Sequence, residues 1–305
     1  MSSEIVVAML AVAVSRATPL IFGALSGVLC ERSGVVNIGI EGMMLAGAFA
    51  GFIVGVYTQS LAWAILAAVA AGAALALLHA VLAIRFRVDQ IISGTVINIL
   101  AIGVTGFFNR QLFATGAPPG QSTFPAIALP VLSDIPFVGR VLFEHKPLTF
   151  LAIALVAVGH LALYRSVWGL RLRTVGEHPH AADASGIDVI RTRYQAVLLG
   201  GLLAGFGGAY FTLESVPHFE PLMTNGRGFI ALAAMIFGKW TPLGALGAAL
   251  LFGIAEALPV ALQIQGINVP FQFVGLLPYV LTIVVLAGLI GRASPPSSVG
   301  VPFQR

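Results

Sequence analysis

The chain has 305 residues, of which 58% are hydrophobic and only 9% charged, with a net charge of +4. A soluble globular domain carries about 25% charge, so water is excluded as the main solvent. The basic excess points to the Lys and Arg surplus of cytoplasmic loops in a bilayer protein rather than to nucleic acid, and the one cysteine, Cys30, allows no internal disulfide and fits no zinc-ligand spacing.

A spanning helix needs about 20 mostly apolar residues. The candidates in chain order are 5–29, 35–57, 60–84, 90–109, 147–164, 194–214, 228–238, 241–262 and 271–291. Met1-Ser2-Ser3-Glu4 lacks a basic leader, so 5–29 is read as a retained helix. The segments 60–84, 90–109 and 271–291 contain no Asp, Glu, Lys or Arg. The stretch 228–238 is too short to cross at 1.5 Å per residue, and reads as a half-helix that continues or re-enters near Lys239-Trp240-Thr241-Pro242. The expected fold is all-α: one polytopic integral membrane helical bundle over 1–305, with about 8–10 transmembrane segments including broken or re-entrant helices.

Basic residues orient the bundle. The 165–193 connection holds Arg165, Arg171, Arg173, Arg191 and Arg193 and is expected in the cytoplasm, with Arg85, Arg87, Arg292 and Arg305. The Pro- and Gly-rich 110–146 connection is then extracytoplasmic, although it carries Arg110, Arg140 and Lys146, and the N-terminus falls outside. Two regions read alike. Gly34–Gly42 leads into Leu45–Gly55, and Gly238–Pro242 leads into Leu243–Gly253, each a polar break before a small-residue helix. Such repeated breaks point to a transporter's substrate site.

Enzyme motifs fail. A phosphate-binding G-x-x-x-x-G-K-[ST] loop is broken at Ala233 and Trp240, and neither H-E-x-x-H nor G-x-S-x-G occurs. His178, His180 and Asp183 read as solvated loop residues, and His79 and His160 as hydrogen-bonded packing groups. Ionisable groups within spans face a cavity or a partner. Glu41 has Asn37 at i−4, on one face if the helix is continuous, and the pair either lines a solute site or caps the break at Gly39 or Gly42. Ser93 and Asn98 lie in 90–109, where Asn98 either bonds a solute or joins two helices. Glu214 and Glu256 read as solvated or snorkelling residues near helix ends, Glu31-Arg32 as interfacial, and Arg16 as the partner of an acid. Phe229, with Phe107, Phe108, Phe206, Tyr210 and Phe211, could stack a planar ring, or be lipid-facing or core.

The run Gly27-Val28-Leu29-Cys30-Glu31-Arg32-Ser33-Gly34-Val35-Val36-Asn37-Ile38-Gly39-Ile40-Glu41-Gly42-Met43-Met44 closely resembles the signature of nucleoside-type ABC-transporter permeases, in the monosaccharide and branched-chain amino-acid permease group. Pro19-Leu20 before it, Gly226–Ala233 and Gly238–Pro242 also resemble that family's blocks, and Gly169–Ile187 looks like its ATPase-docking loop, with His178 where the family often has Asn. The resemblance implies a non-enzymatic permease subunit of an importer in a bacterial cytoplasmic (inner) membrane. It implies a second, larger permease, cytoplasmic ATPases that use ATP and Mg, and an external substrate-binding lipoprotein. This chain itself would bind no cofactor and no metal. The implied coupling loop is Val175, Gly176, Glu177, Pro179, Ala181, Ala182, Ser185, Gly186 and Ile187, with Ala182 and Gly186 sharing an approachable face. The candidate pathway is Asn37, Glu41, Ser93, Asn98 and Phe229. Alternatives are the same machine carrying a simple sugar such as ribose, and an ion-coupled secondary transporter.

Overall fold

The structure is a computed structural model that describes residues 3–114, 116, 120–264, 280 and 293–304. The expected span 271–291, except Val280, and Arg292 and Arg305 lie outside the described residues. The described residues are mostly helical, as all-round apolar segments require of backbone in lipid. In order come α1 (Ser3–Arg32), α2 (Ile40–Thr58), α3 (Leu61–Ala80), α4 (Gln90–Leu112), α5 (Val138–Leu142), α6 (Pro147–Arg165), α7 (Val167–Glu177), α8 (Pro179–Ala184), α9 (Val189–Tyr210), α10 (Arg227–Phe237) and α11 (Pro242–Ile264). Single π-helical turns, Val81–Arg85 and Phe211–Ser215, extend α3 and α9. Two short strands, β1 (Ile127–Ala128) and β2 (Glu144–His145), pair antiparallel.

Among the described residues, seven helices are long and apolar enough to cross a membrane. They alternate in direction between two ends. One end, called basic here, gathers Arg32, Arg85, Arg165, Arg193 and Lys239, with α7 and α8. The far end carries the 120–146 stretch of the connection, where Glu4 lies beside Asp134 and Arg140. Aspartates open two helices at the basic end. Asp89 accepts from the Ile91 and Ile92 N–H groups at 2.9 and 3.0 Å, and Asp188 from Arg191 N–H at 2.9 Å, satisfying donors that helix starts leave free.

Helix α1 is the hub, packed on α11, α9, α10 and α6, while α9 also packs closely on α3 and α2. Small residues permit this approach: a Cβ at Gly72 of α3 would sit 2.7 Å from Gly205 N and 2.8 Å from its Cα.

Three expectations are corrected. The span expected over 35–57 starts helically only at Ile40, because Ser33–Gly39 runs non-helical from the basic end with Gly34 at φ +90°. The two breaks read as a repeat are unlike. Gly238–Thr241 is a tight turn at the basic end, bound to α1 by Arg32 Nε donating to Trp240 O at 2.8 Å and Trp240 Nε1 donating to Glu31 at 2.5 Å. The counterpart of Ser33–Gly39 is instead 216–226, which descends from the far end and leads into α10. Finally, the acids are not at the surface. Glu31 is buried, Glu256 pairs with Arg227 at 3.2 Å, and buried Glu214 accepts from Leu148 N–H at 2.5 Å, while Lys146 donates to its carbonyl. No acid lies within ion-pair distance of Arg16 among the described residues.

Close packing at Gly72 gives a direct expectation. Gly72→Ala overpacks the α3–α9 seam and costs about 1–3 kcal/mol, whereas Gly247→Ala on the open face of α11, with nothing within 4 Å, gains roughly 0.5–1 kcal/mol of helix stability. Thermal unfolding of the two purified variants should move in opposite directions; a Gly72→Ala midpoint at or above the parent's would refute the packing account.

Candidate functional site

Helix α10 has 11 residues, about 16 Å of rise against roughly 30 Å of hydrocarbon. It ends at the basic end, so its first turn lies deep inside the bundle. Helix α2 also begins inside, after the non-helical Ser33–Gly39. The two starts meet. Glu41, in the first turn of α2, is 8% exposed. Its Oε1 accepts from Thr224 Oγ1 at 2.6 Å and Gly226 N–H at 2.8 Å, and its Oε2 accepts from Gly228 N–H at 2.6 Å. A carboxylate thus takes two backbone N–H groups at the start of α10 and sits where both helix dipoles favour negative charge. Gly226 takes φ +78° to turn into the helix, and a Cβ at Gly228 would lie 2.5 Å from Glu41 Cα, so both positions need glycine.

On its other side, the first turn of α2 leans on α4. Asn98 Oδ1 accepts from Gly42 N–H at 2.8 Å, and its Nδ2 donates to Ile38 O at 3.1 Å. The approach strand is held likewise. Val36 N–H donates to Gln90 Oε1 at 2.7 Å, and Val36 O lies 2.8 Å from His79 Nε2, whose Nδ1 is 3.0 Å from Ser93 Oγ. Asn37 is fully buried, with Nδ2 on Cys30 Sγ at 3.6 Å and Met43 Sδ at 3.5 Å and no partner for Oδ1.

The five expected pathway residues therefore divide. Glu41, Asn98, Ser93 and Asn37 lie at or beside the junction with their polar atoms turned into the protein. Phe229, 47% exposed and next to Gly228, presents its ring outward. Asn37 and Glu41 do not share a helical face, because the helix between them is broken. Thr224, Gln90 and His79 belong to the same polar frame. His79 was readable as a packing group, but Thr224 and Gln90 carried no signal, since their partners lie 183 and 54 residues away.

The basic end carries the second candidate surface. The loop is two helices broken at His178. Helix α8 ends with Gly186 at φ +80°, where Gly186 N–H bonds Asp183 O at 2.9 Å and Ile187 N–H bonds Ala182 O at 3.0 Å, a left-handed glycine cap. Ala182 does not share an approachable face with Gly186: it is fully buried, packed with Val175, Val189, Ile187 and Phe303. Gly176 and Pro179 are buried too and Glu177 is half-buried, whereas Ala181, Ala184, Ser185 and Gly186 are exposed. The segment 293–304 straps this loop to the core. Ser298 N–H donates to Gly176 O at 2.9 Å, Ser297 Oγ to Glu177 at 2.9 Å, Gly300 N–H to Gly34 O at 3.1 Å, and buried Arg193 to Val301 O at 3.0 Å and Ser33 O at 3.2 Å.

Glu41→Gln puts an N–H₂ donor where only acceptors fit, leaving a buried backbone N–H of α10 unmatched. The expected loss is roughly 2–4 kcal/mol, seen as a lowered unfolding midpoint in protein that still inserts in the membrane. An unchanged midpoint would remove Glu41 from the structural frame.

The comparisons agree with this architecture. The family described as the permease component of the branched-chain amino acid transport system matches residues 9–286. The guanosine ABC transporter permease protein NupQ of Bacillus subtilis is 44% identical, over 94% of this chain and 93% of its own length. The nucleoside ABC transporter permease protein NupC of Lactococcus lactis is 41% identical over the same shares, 94% and 93%. A solved metal-chelate type ABC transporter in an inward-facing conformation shares the fold at a TM-score of 0.52 and 16% identity, over 91% of this chain and 85% of that one. With seven apolar spans among its described residues and a family match over nearly its whole length, the chain belongs to the permease-component family of the branched-chain amino acid transport system, as a multi-pass membrane protein.

Proposed function

We propose that this chain is a permease subunit of an ATP-driven importer of nucleosides in a bacterial cytoplasmic membrane. The observation that carries the substrate class is identity above 40% along the full length of two nucleoside-type permeases. The junction supports a pathway wall: Glu41, Asn98, Ser93 and Asn37 hold the starts of α2 and α10 in register, and the Phe229 ring faces outward to stack the flat base of the solute. A simple sugar has no such π face, which favours nucleoside over ribose.

The energy comes from partners. Cytoplasmic ATPases would use ATP and Mg, a second permease would complete the pathway, and an external lipoprotein would deliver the solute. In this reading the basic end is cytoplasmic, 110–146 lies outside, and the docking face is Ala181, Ala184, Ser185 and Gly186. The buried members Val175, Gly176, Pro179 and Ala182, with Glu177 and Ile187, hold that face to α9 and the 293–304 strap. Closure of the ATPases would then move α7–α8 and the approach strand Ser33–Gly39 together, biasing two discrete arrangements of the bundle.

Three measurements test this reading. Cells expressing the complete transporter should take up labelled guanosine, with excess unlabelled nucleoside competing and ribose not; uptake blocked by ribose, or abolished by collapsing an ion gradient at constant ATP, would replace the reading with one of its alternatives. Ala184→Glu on the exposed face should abolish ATPase co-purification and uptake while the permease folds normally; unchanged uptake would remove α8 from docking. In intact cells, an impermeant thiol reagent should label Ser122→Cys and spare Ser185→Cys, and the reverse would invert the topology.

A further inference from the structure

Helices α6 and α9 bracket the α7–α8 loop, one leading into it and the other out of it, yet they lean apart over the face of α1. Between them is an open groove of about 270 Å³. Its floor is Leu25, Val28 and Leu29 of α1, and its walls include Val158 and Gly159 of α6 and Leu203 and Phe206 of α9. Carbon forms nearly all of this lining. From Leu155 to Leu163 the α6 wall is about 12 Å long. Gly159 opens it: a Cβ there would be 4.0 Å from the nearest atoms, Leu25 Cδ2 and Pro242 Cγ.

At the basic end the character of the groove changes. Trp168 and Pro242 stand at its mouth, with Trp168 Nε1 donating to Gln195 at 3.2 Å, the indole posture typical of a membrane interface. Arg165 follows the lining residues Ala162 and Leu163 by one turn of chain, and Lys239 precedes Pro242 by three residues. Both are exposed, and neither side chain has a partner among the described residues. The nearby Arg32 is occupied by the Trp240 and Lys239 carbonyls, and Arg173 lies 4.9 Å over the Tyr164 ring. The neighbouring acid Glu31 is buried under Trp240.

We propose that this groove seats one anionic phospholipid, its acyl chain lying between α6 and α9 and its headgroup phosphate over Arg165 and Lys239. A carbon-lined slot open to hydrocarbon, ending in unpaired cations at the interface, matches the two halves of such a molecule, and basic pockets between transmembrane helices on the cytoplasmic side take anionic headgroups. A zwitterionic lipid would fill the slot equally well and bring the same phosphate, but its ammonium group adds a positive charge beside the two cations and cancels much of the attraction. A lipid without a phosphate leaves both cations uncompensated. The seated chain holds apart the two helices that carry the α7–α8 loop. The inference rests on the groove and its charges and does not depend on the transported solute.

The test is native mass spectrometry of the purified transporter complex, exchanged into detergent with defined phosphatidylglycerol or phosphatidylcholine. The parent should retain one phosphatidylglycerol per copy of this chain. Gly159→Leu, and independently Val158→Trp, should fill the slot and lose that lipid while unfolding at the parent's temperature. Arg165→Gln combined with Lys239→Gln should keep an open slot but weaken the preference for phosphatidylglycerol on the order of tenfold or more, the effect of two cations near an anionic headgroup. Equal retention of both lipids by the parent, or unchanged retention in both filled variants, would overturn the proposal. So would efficient cross-linking of Val158→Cys to another protein chain, which would make the groove a subunit contact.

Discussion

Among the described helices, α2 and α10 start inside the bundle, and the backbone N–H groups freed there must find acceptors without water. In hydrocarbon each unmatched group costs several kcal/mol, so the starts of α2 and α10 exist only because side chains from elsewhere in the bundle serve them. Glu41 serves α10 and Asn98 serves α2. The two contacts leave from adjacent residues, Glu41 and Gly42, so one turn of α2 couples α4 on one side to α10 on the other. The non-helical approach Ser33–Gly39 follows from the same constraint, its carbonyl and amide groups answered by His79, Gln90 and Asn98. Non-helical backbone at this depth survives only where protein covers it.

Charge is handled similarly. Arg227 with Glu256, Glu31 with Trp240, and Glu214 with the start of α6 place ionisable groups at seams between helices, where each has a specific partner. Breaking a buried pair leaves a stranded charge and costs far more than the pair contributes, so these contacts set which helices stay neighbours. The stiff part is thus α1 with its partners α9, α10 and α11, reinforced by glycine-mediated closeness to α3. The α7–α8 loop and the 293–304 strap form a second assembly at the basic end, attached through Arg193, Gly34 and Gly176. A push on α8 reaches Ser33–Gly34 through a few hydrogen bonds, and that strand leads directly to Glu41. The distance from the exposed face of α8 to the Glu41 junction is bridged by named contacts.

The sequence by itself determined that the chain lives in lipid, that it is helical, where most spans lie, that 228–238 is a half-helix and which family it resembles. Those properties are local: runs of apolar residues, missing charges, and short motifs dense in glycine. It could not decide what Glu41, Asn98 or Glu214 do, because a polar residue in an apolar run looks the same whether it faces solute or a buried backbone group, and the partner is far off in the chain. It misread the 34–42 and 238–242 breaks as equivalent, since both are small-residue interruptions, whereas only tertiary structure distinguishes an approach to a buried helix start from a turn at the surface. It assigned Ala182 to an outer face from spacing alone, and the structure buried it because Phe303, over a hundred residues later, returns to cover it. Composition is read along the chain, but hydrogen-bond partners in a dry interior are chosen across it.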